Sequence, residues 1–96
     1  MNKTSEILLK DAISAFLKEN HLETKLEETR IINAWENVTG KLISRHTDQM
    51  QIKDRILYVK VDSAALREEL LYQRSKLVKK LNKAAGGEII DDIKFS

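Results

Sequence analysis

At 96 residues, with 42% hydrophobic residues and neither cysteine nor proline, the chain lies at the lower end of the roughly 100–200 residues of one domain, and no second folded unit is expected. The missing cysteines exclude disulfides, thiolate nucleophiles, iron–sulfur clusters and zinc ribbons, and no stretch approaches the ~18 apolar residues of a membrane span. The net charge of +2 hides an asymmetry: residues 41–83 hold eleven basic and five acidic side chains, against five and seven in residues 1–40, so an anionic partner is expected at the middle of the chain.

In chain order, Lys10 and Asp11 interrupt the first apolar run before a signal-peptide core forms, and the expected location is the cytoplasm. From Ser5 to Glu19, Leu9, Ile13, Phe16 and Leu17 fall at i, i+4, i+7 and i+8, one face of a helix that Asn20 ends. Thr24-Lys25-Leu26-Glu27 reads as a capping box opening a second helix with Ile31, Trp35 and Val38 inward. Gly40 breaks it, and Leu42 and Ile43 predict a short third stretch before His46-Thr47.

The period then changes to two. Met50 and Ile52, then Leu57, Val59 and Val61, alternate with Gln49, Gln51, Tyr58 and Lys60, which predicts a hairpin over residues 47–62 turning at Lys53-Asp54-Arg55. Asp62 or Ser63 caps a long basic helix over residues 63–83, with Leu66, Leu70, Leu77 and Leu81 on its inner stripe, widened by Leu71 and Val78. Gly86-Gly87 ends it, and Ile89, Ile93 and Phe95 alternate as a last strand, with Ile90 facing outward. The order α-α-(α)-β-β-α-β predicts an α+β fold in which a three-stranded sheet, closed by a right-handed crossover, packs against helices.

No catalytic motif is present. His21 and His46 are the two imidazoles, and a triad drawn from His46, Asp48 and Ser63 uses residue types common to any soluble chain. Glu27-Glu28, Glu68-Glu69 and Asp91-Asp92 are neighbours that point in different directions; they read as helix-dipole partners and strand-edge charges. No enzyme, cofactor or metal site is expected.

The long helix carries the binding expectations. Tyr72, Lys76, Lys79 and Lys83 fall opposite the leucines as a positive ridge, a site for phosphates or a solvated face favoured by the helix dipole. Arg67 and Arg74 project between the halves of the apolar stripe, either extending their heads to water or pairing with Asp91 or Asp92. Trp35 is in phase with the core, its indole N–H needing an acceptor. On the far face of the sheet, Gln49, Gln51, Ile56, Tyr58, Lys60 and Ile90 form a platform of the kind that stacks bases, docks a protein or joins two copies.

The stretch Ile32-Asn33-Ala34-Trp35-Glu36-Asn37-Val38-Thr39-Gly40, then His46-Thr47, Leu57-Tyr58-Val59-Lys60-Val61-Asp62-Ser63, Glu69-Leu70, Leu77-x-x-x-Leu81-Asn82 and Ile93-Lys94-Phe95, resembles the DciA-like family over about residues 5–96. Trp35, Gly40, His46, Thr47, Ser63, Glu69, Leu70 and Arg74 are the matching motif residues. The resemblance implies one KH-like domain over residues 1–96 and a non-enzymatic bacterial replication accessory that binds the replicative DNA helicase and aids its loading, often beside DNA binding. The partner-binding residues expected are Trp35, Tyr58, Arg67 and Arg74; those expected on nucleic acid, single-stranded or duplex, are Lys60, Tyr72, Lys76, Lys79 and Lys83. The alternatives are a KH-like nucleic-acid module without helicase contact, or a structural homodimer. Three departures stand out: Leu66 replaces a tryptophan found in many members, neither a long tail nor a zinc ribbon is matched, and the G-x-x-G loop of nucleic-acid-binding KH modules is missing.

Overall fold

A computed structural model describes residues 3–20 and 22–96, so His21 lies outside the described residues. Eight elements follow in order: α1 (Lys3–Glu19), α2 (Glu23–Thr39), α3 (Lys41–Arg45), β1 (Thr47–Lys53), β2 (Ile56–Val61), α4 (Ala64–Tyr72), α5 (Arg74–Ala85) and β3 (Asp92–Phe95). The sheet has the order β1-β2-β3, with β1 antiparallel and β3 parallel to the central β2. This is the expected α+β, two-layer arrangement. Helices lie on one face of the sheet, where α2 packs along α5 and where α4 and α5 meet the strands.

The core follows from periodicity. Leu57, Val59 and Val61 of β2 and Ile93 of β3 meet Ile31, Ala34 and Trp35 of α2, Leu70 of α4, and Leu77, Leu81 and Ala85 of α5. At the expected apolar run of α1 the chain departs from this pattern. Leu8, Leu9, Ile13 and Phe16 are each more than half exposed, so the helix forms but its apolar face lies outside the core.

Helix ends also differ from expectation. Helix α2 begins at Glu23, with Leu22 as a cap that offers no side-chain acceptor, so Thr24 lies inside the helix and forms no capping box. Ser63 caps α4 as expected, its Oγ accepting the Leu66 N–H at 3.3 Å. Gly40 sits between α2 and α3 at φ +94°, ψ 168°, a conformation essentially reserved for glycine.

The helix expected over residues 63–83 is two helices meeting at Gln73, whose N–H bonds the Leu70 carbonyl three residues back at 3.1 Å. Neither glycine nor proline marks the break. In one straight helix Arg74 would extend the Leu66–Leu70 stripe and bring a guanidinium into the core. The break instead lets Arg74 pair with Asp92 at 3.2 Å, while Leu77 and Leu81 stay buried. Leu71, expected to widen the apolar stripe, is 54% exposed.

The hairpin turns on Asp54 and Arg55, both at positive φ (52° and 65°). Tight two-residue turns favour glycine at the second such position. Arginine is held there by its own side chain, which donates to Asp91 through Nε and Nη2 at 3.0 Å each and to the Glu88 carbonyl at 2.7 Å. Asp91 and Asp92 are thus both engaged by arginines rather than being free strand-edge charges. The hydrogen bond from Arg55 holds the Asp91 carboxyl below its usual range. Because the folded-state value is the lower one, this contribution is present above the ordinary carboxylate range and is lost as pH falls through the folded value. In an acid titration followed by circular dichroism, the chain should be more stable than Asp91→Asn at neutral pH, with the two curves converging at the acid end.

The last strand starts at Asp92, later than the alternation implied. Ile89 therefore precedes the strand, and Ile90, expected to face outward, is 1% exposed. Asn82 of α5 turns both isoleucines inward: its Oδ1 accepts the N–H groups of Ile89 and Ile90 at 3.0 Å each, and its Nδ2 donates to the Ile90 carbonyl at 2.9 Å.

Candidate functional site

Most residues that carry the family resemblance hold the fold. Trp35, 1% exposed, donates its Nε1–H to Thr47 Oγ1 at 3.0 Å, and that hydroxyl donates to the Ile43 carbonyl at 2.7 Å. This relay ties α2 and α3 to the start of β1. Trp35, in phase with the core and also expected at a partner surface, lies in the core. His46 Nδ1 lies 2.6 Å from Asp62 Oδ1, not beside Asp48, and Ser63 is occupied as a helix cap. The triad geometry is absent, and the His46–Asp62 pair instead joins the two ends of the hairpin.

The other expected partner residues fall in different places. Arg67 is half-buried and donates from Nη1 to the Val61 carbonyl at 3.1 Å, which fixes the start of α4 to the end of β2. With Ala64, Glu68, Leu71 and Phe95 it lines a shallow surface groove. Arg74 is held by Asp92. Tyr58 is on the opposite face of the sheet, 39% exposed.

The expected phosphate-binding residues also separate. Tyr72, 84% exposed, ends α4, whereas Lys76, Lys79 and Lys83 are on α5 beyond the break. Lys80 joins those three within an arc of about 100° opposite the leucines. Spacing along the chain already contained this fourth lysine. Lys60 lies on the outer sheet face with Gln49, Gln51, Lys53, Tyr58 and Lys94, separated from the α5 lysines by the core.

Lys94 was missed because only the parallel pairing of β3 with β2 sets it beside Tyr58. Its Nζ lies 6.0 Å from the Tyr58 ring centroid. Among the described residues no group of His, Cys, Asp and Glu is arranged to hold a metal ion, and no helix is long and apolar enough to cross a membrane.

Comparison with known proteins bears on what these surfaces serve. The family model described as Dna[CI] antecedent, DciA, matches residues 8–95. The chain belongs to the DciA family. A UPF0232 protein from Rhodococcus jostii (strain RHA1) is 24% identical over 83 residues, which cover 86% of this chain and 44% of that protein. The chain thus spans less than half the length of this DciA-type relative.

Proposed function

We propose that this DciA-family protein binds the replicative DNA helicase and aids its loading. The match over residues 8–95 carries the reading. Exposed apolar side chains support a protein partner: Leu71 beside the Arg67–Phe95 groove, and Leu9, Ile13 and Phe16 along α1. Surface apolar clusters of this kind are typical of docking sites. In a titration by biolayer interferometry, the chain is expected to bind the helicase of its own host at micromolar concentration. Leu71→Glu, placed at an exposed position, should weaken the complex about tenfold. No complex at tens of micromolar would overturn the reading.

A second reading, nucleic-acid binding, is favoured by the four α5 lysines, none of which has a carboxylate partner among the described residues. It requires an affinity that falls linearly in log[salt].

A further inference from the structure

We propose that the helix-free face of the sheet is a binding surface for single-stranded nucleic acid, with Tyr58 as the stacking ring and Lys53, Lys60 and Lys94 as the phosphate contacts. This rests on the nucleic-acid reading and assigns it a surface other than the α5 ridge.

Strand register assembles the surface. Tyr58 pairs with Gln51 on one side and Lys94 on the other, Lys60 pairs with Gln49, and Lys53 pairs with Ile56. Strands are spaced by about 4.8 Å and same-face residues recur about every 6.7 Å along each strand, so the three lysines surround one ring at distances a short oligonucleotide spans. Shallow depressions lie on both sides of Tyr58, one bounded by Gln49, Gln51 and Lys60, the other by Gln51 and Lys53.

Charge selects the occupant. Lys53, Lys60 and Lys94 form no ion pair among the described residues, while Asp92, on the same face, is neutralised by Arg74. A protein-docking face has an apolar centre depleted of charge. Here the exposed aromatic is ringed by cations and amides, the combination by which single strands are held without sequence preference. Tyr58 is 39% exposed, with Lys94 Nζ over its ring at 6.0 Å from the centroid. An exposed aromatic on a sheet is suited to stacking an unpaired base once that lysine turns to a phosphate, whereas duplex grooves are read by inserted helices or ribbons. The α5 ridge has lysines but no aromatic, since Tyr72 belongs to α4.

The test is fluorescence anisotropy with a labelled oligothymidylate and a duplex of equal length, over a range of salt. The full chain should prefer the single strand. Tyr58→Ala, at a partly exposed position, should weaken single-strand binding about tenfold, as expected for one lost stacking contact. Lys60→Glu with Lys94→Glu should reduce the salt slope by about 0.7 per lost phosphate contact. Lys76→Glu with Lys79→Glu should leave the single-strand preference intact. If the sheet variants bind like the parent and the α5 pair abolishes binding, this assignment fails while the nucleic-acid reading stands. If the parent binds neither oligonucleotide at tens of micromolar, both fail.

Discussion

Asn82→Ala should lower the unfolding free energy by about 3–5 kcal/mol, because it strips partners from two part-buried N–H groups and one carbonyl, each at the lower end of the about 1–3 kcal/mol that an unsatisfied group costs. The amide holds Ile89 and Ile90 in the core by three hydrogen bonds between α5 and the segment before β3. Losing them frees the approach to β3 as well as two isoleucines. Asn82→Asp keeps the acceptor for both N–H groups and loses the donor to the Ile90 carbonyl, so it should fall between the parent and alanine. Urea unfolding should show the midpoints in that order with similar slopes. Equal midpoints for alanine and parent would mean that water replaces the amide without loss.

Trp35→Ala should cost about 3–5 kcal/mol, the usual penalty for deleting a large core aromatic. That is a large part of the about 5–15 kcal/mol by which a domain is stable, so the variant is expected to be largely unfolded near physiological temperature. The sharper measurement concerns the relay. Thr47→Val removes the acceptor of the buried indole N–H and the donor to the Ile43 carbonyl, at about 1–3 kcal/mol. Thr47→Ser should retain most of that. If the indole bond dominates, Thr47→Val will cost less in a Trp35→Phe background, and the double variant will be destabilised by less than the sum of the single ones. Additive effects would place the role of Thr47 in its bond to Ile43 alone.

Sequence pattern revealed much of this fold because its signals are local. Alternation fixed the inner face of the hairpin, and the 3.6-residue period fixed the buried stripes of α2 and α5. What it missed depends on distant partners. The break at Gln73 has no glycine or proline to announce it, and the partner that Arg74 meets beyond it, Asp92, is eighteen residues away. Ile90 was placed outward because strand alternation was carried back to Ile89, whereas the strand starts at Asp92; before it the segment is not a strand, and both isoleucines turn inward. The outward face of α1 could not be distinguished from a buried one, since amphipathicity shows that a helix has a face but not what covers it.

The candidate surfaces were legible in the same proportion. Lysines at helical spacing were visible, as was the outward set Gln49, Gln51, Tyr58 and Lys60. The split of the expected phosphate-binding residues was not, because it needs the helix break and the layering together. Trp35 read both as core and as a contact, and its 1% exposure decides for core.

The parallel seam between β2 and β3 also orders events in time. A hairpin closes in about 1–10 μs through contacts between near neighbours, but Lys94 meets Tyr58 across a connection that contains all of α4 and α5. Such long loops are closed at an entropic cost that local pairs do not bear. The nascent hairpin therefore displays its ring with only two of the three surrounding cations. The outer sheet face gains its last cation only when β3 pairs with β2, so the polyanion site proposed there is complete only in the finished sheet.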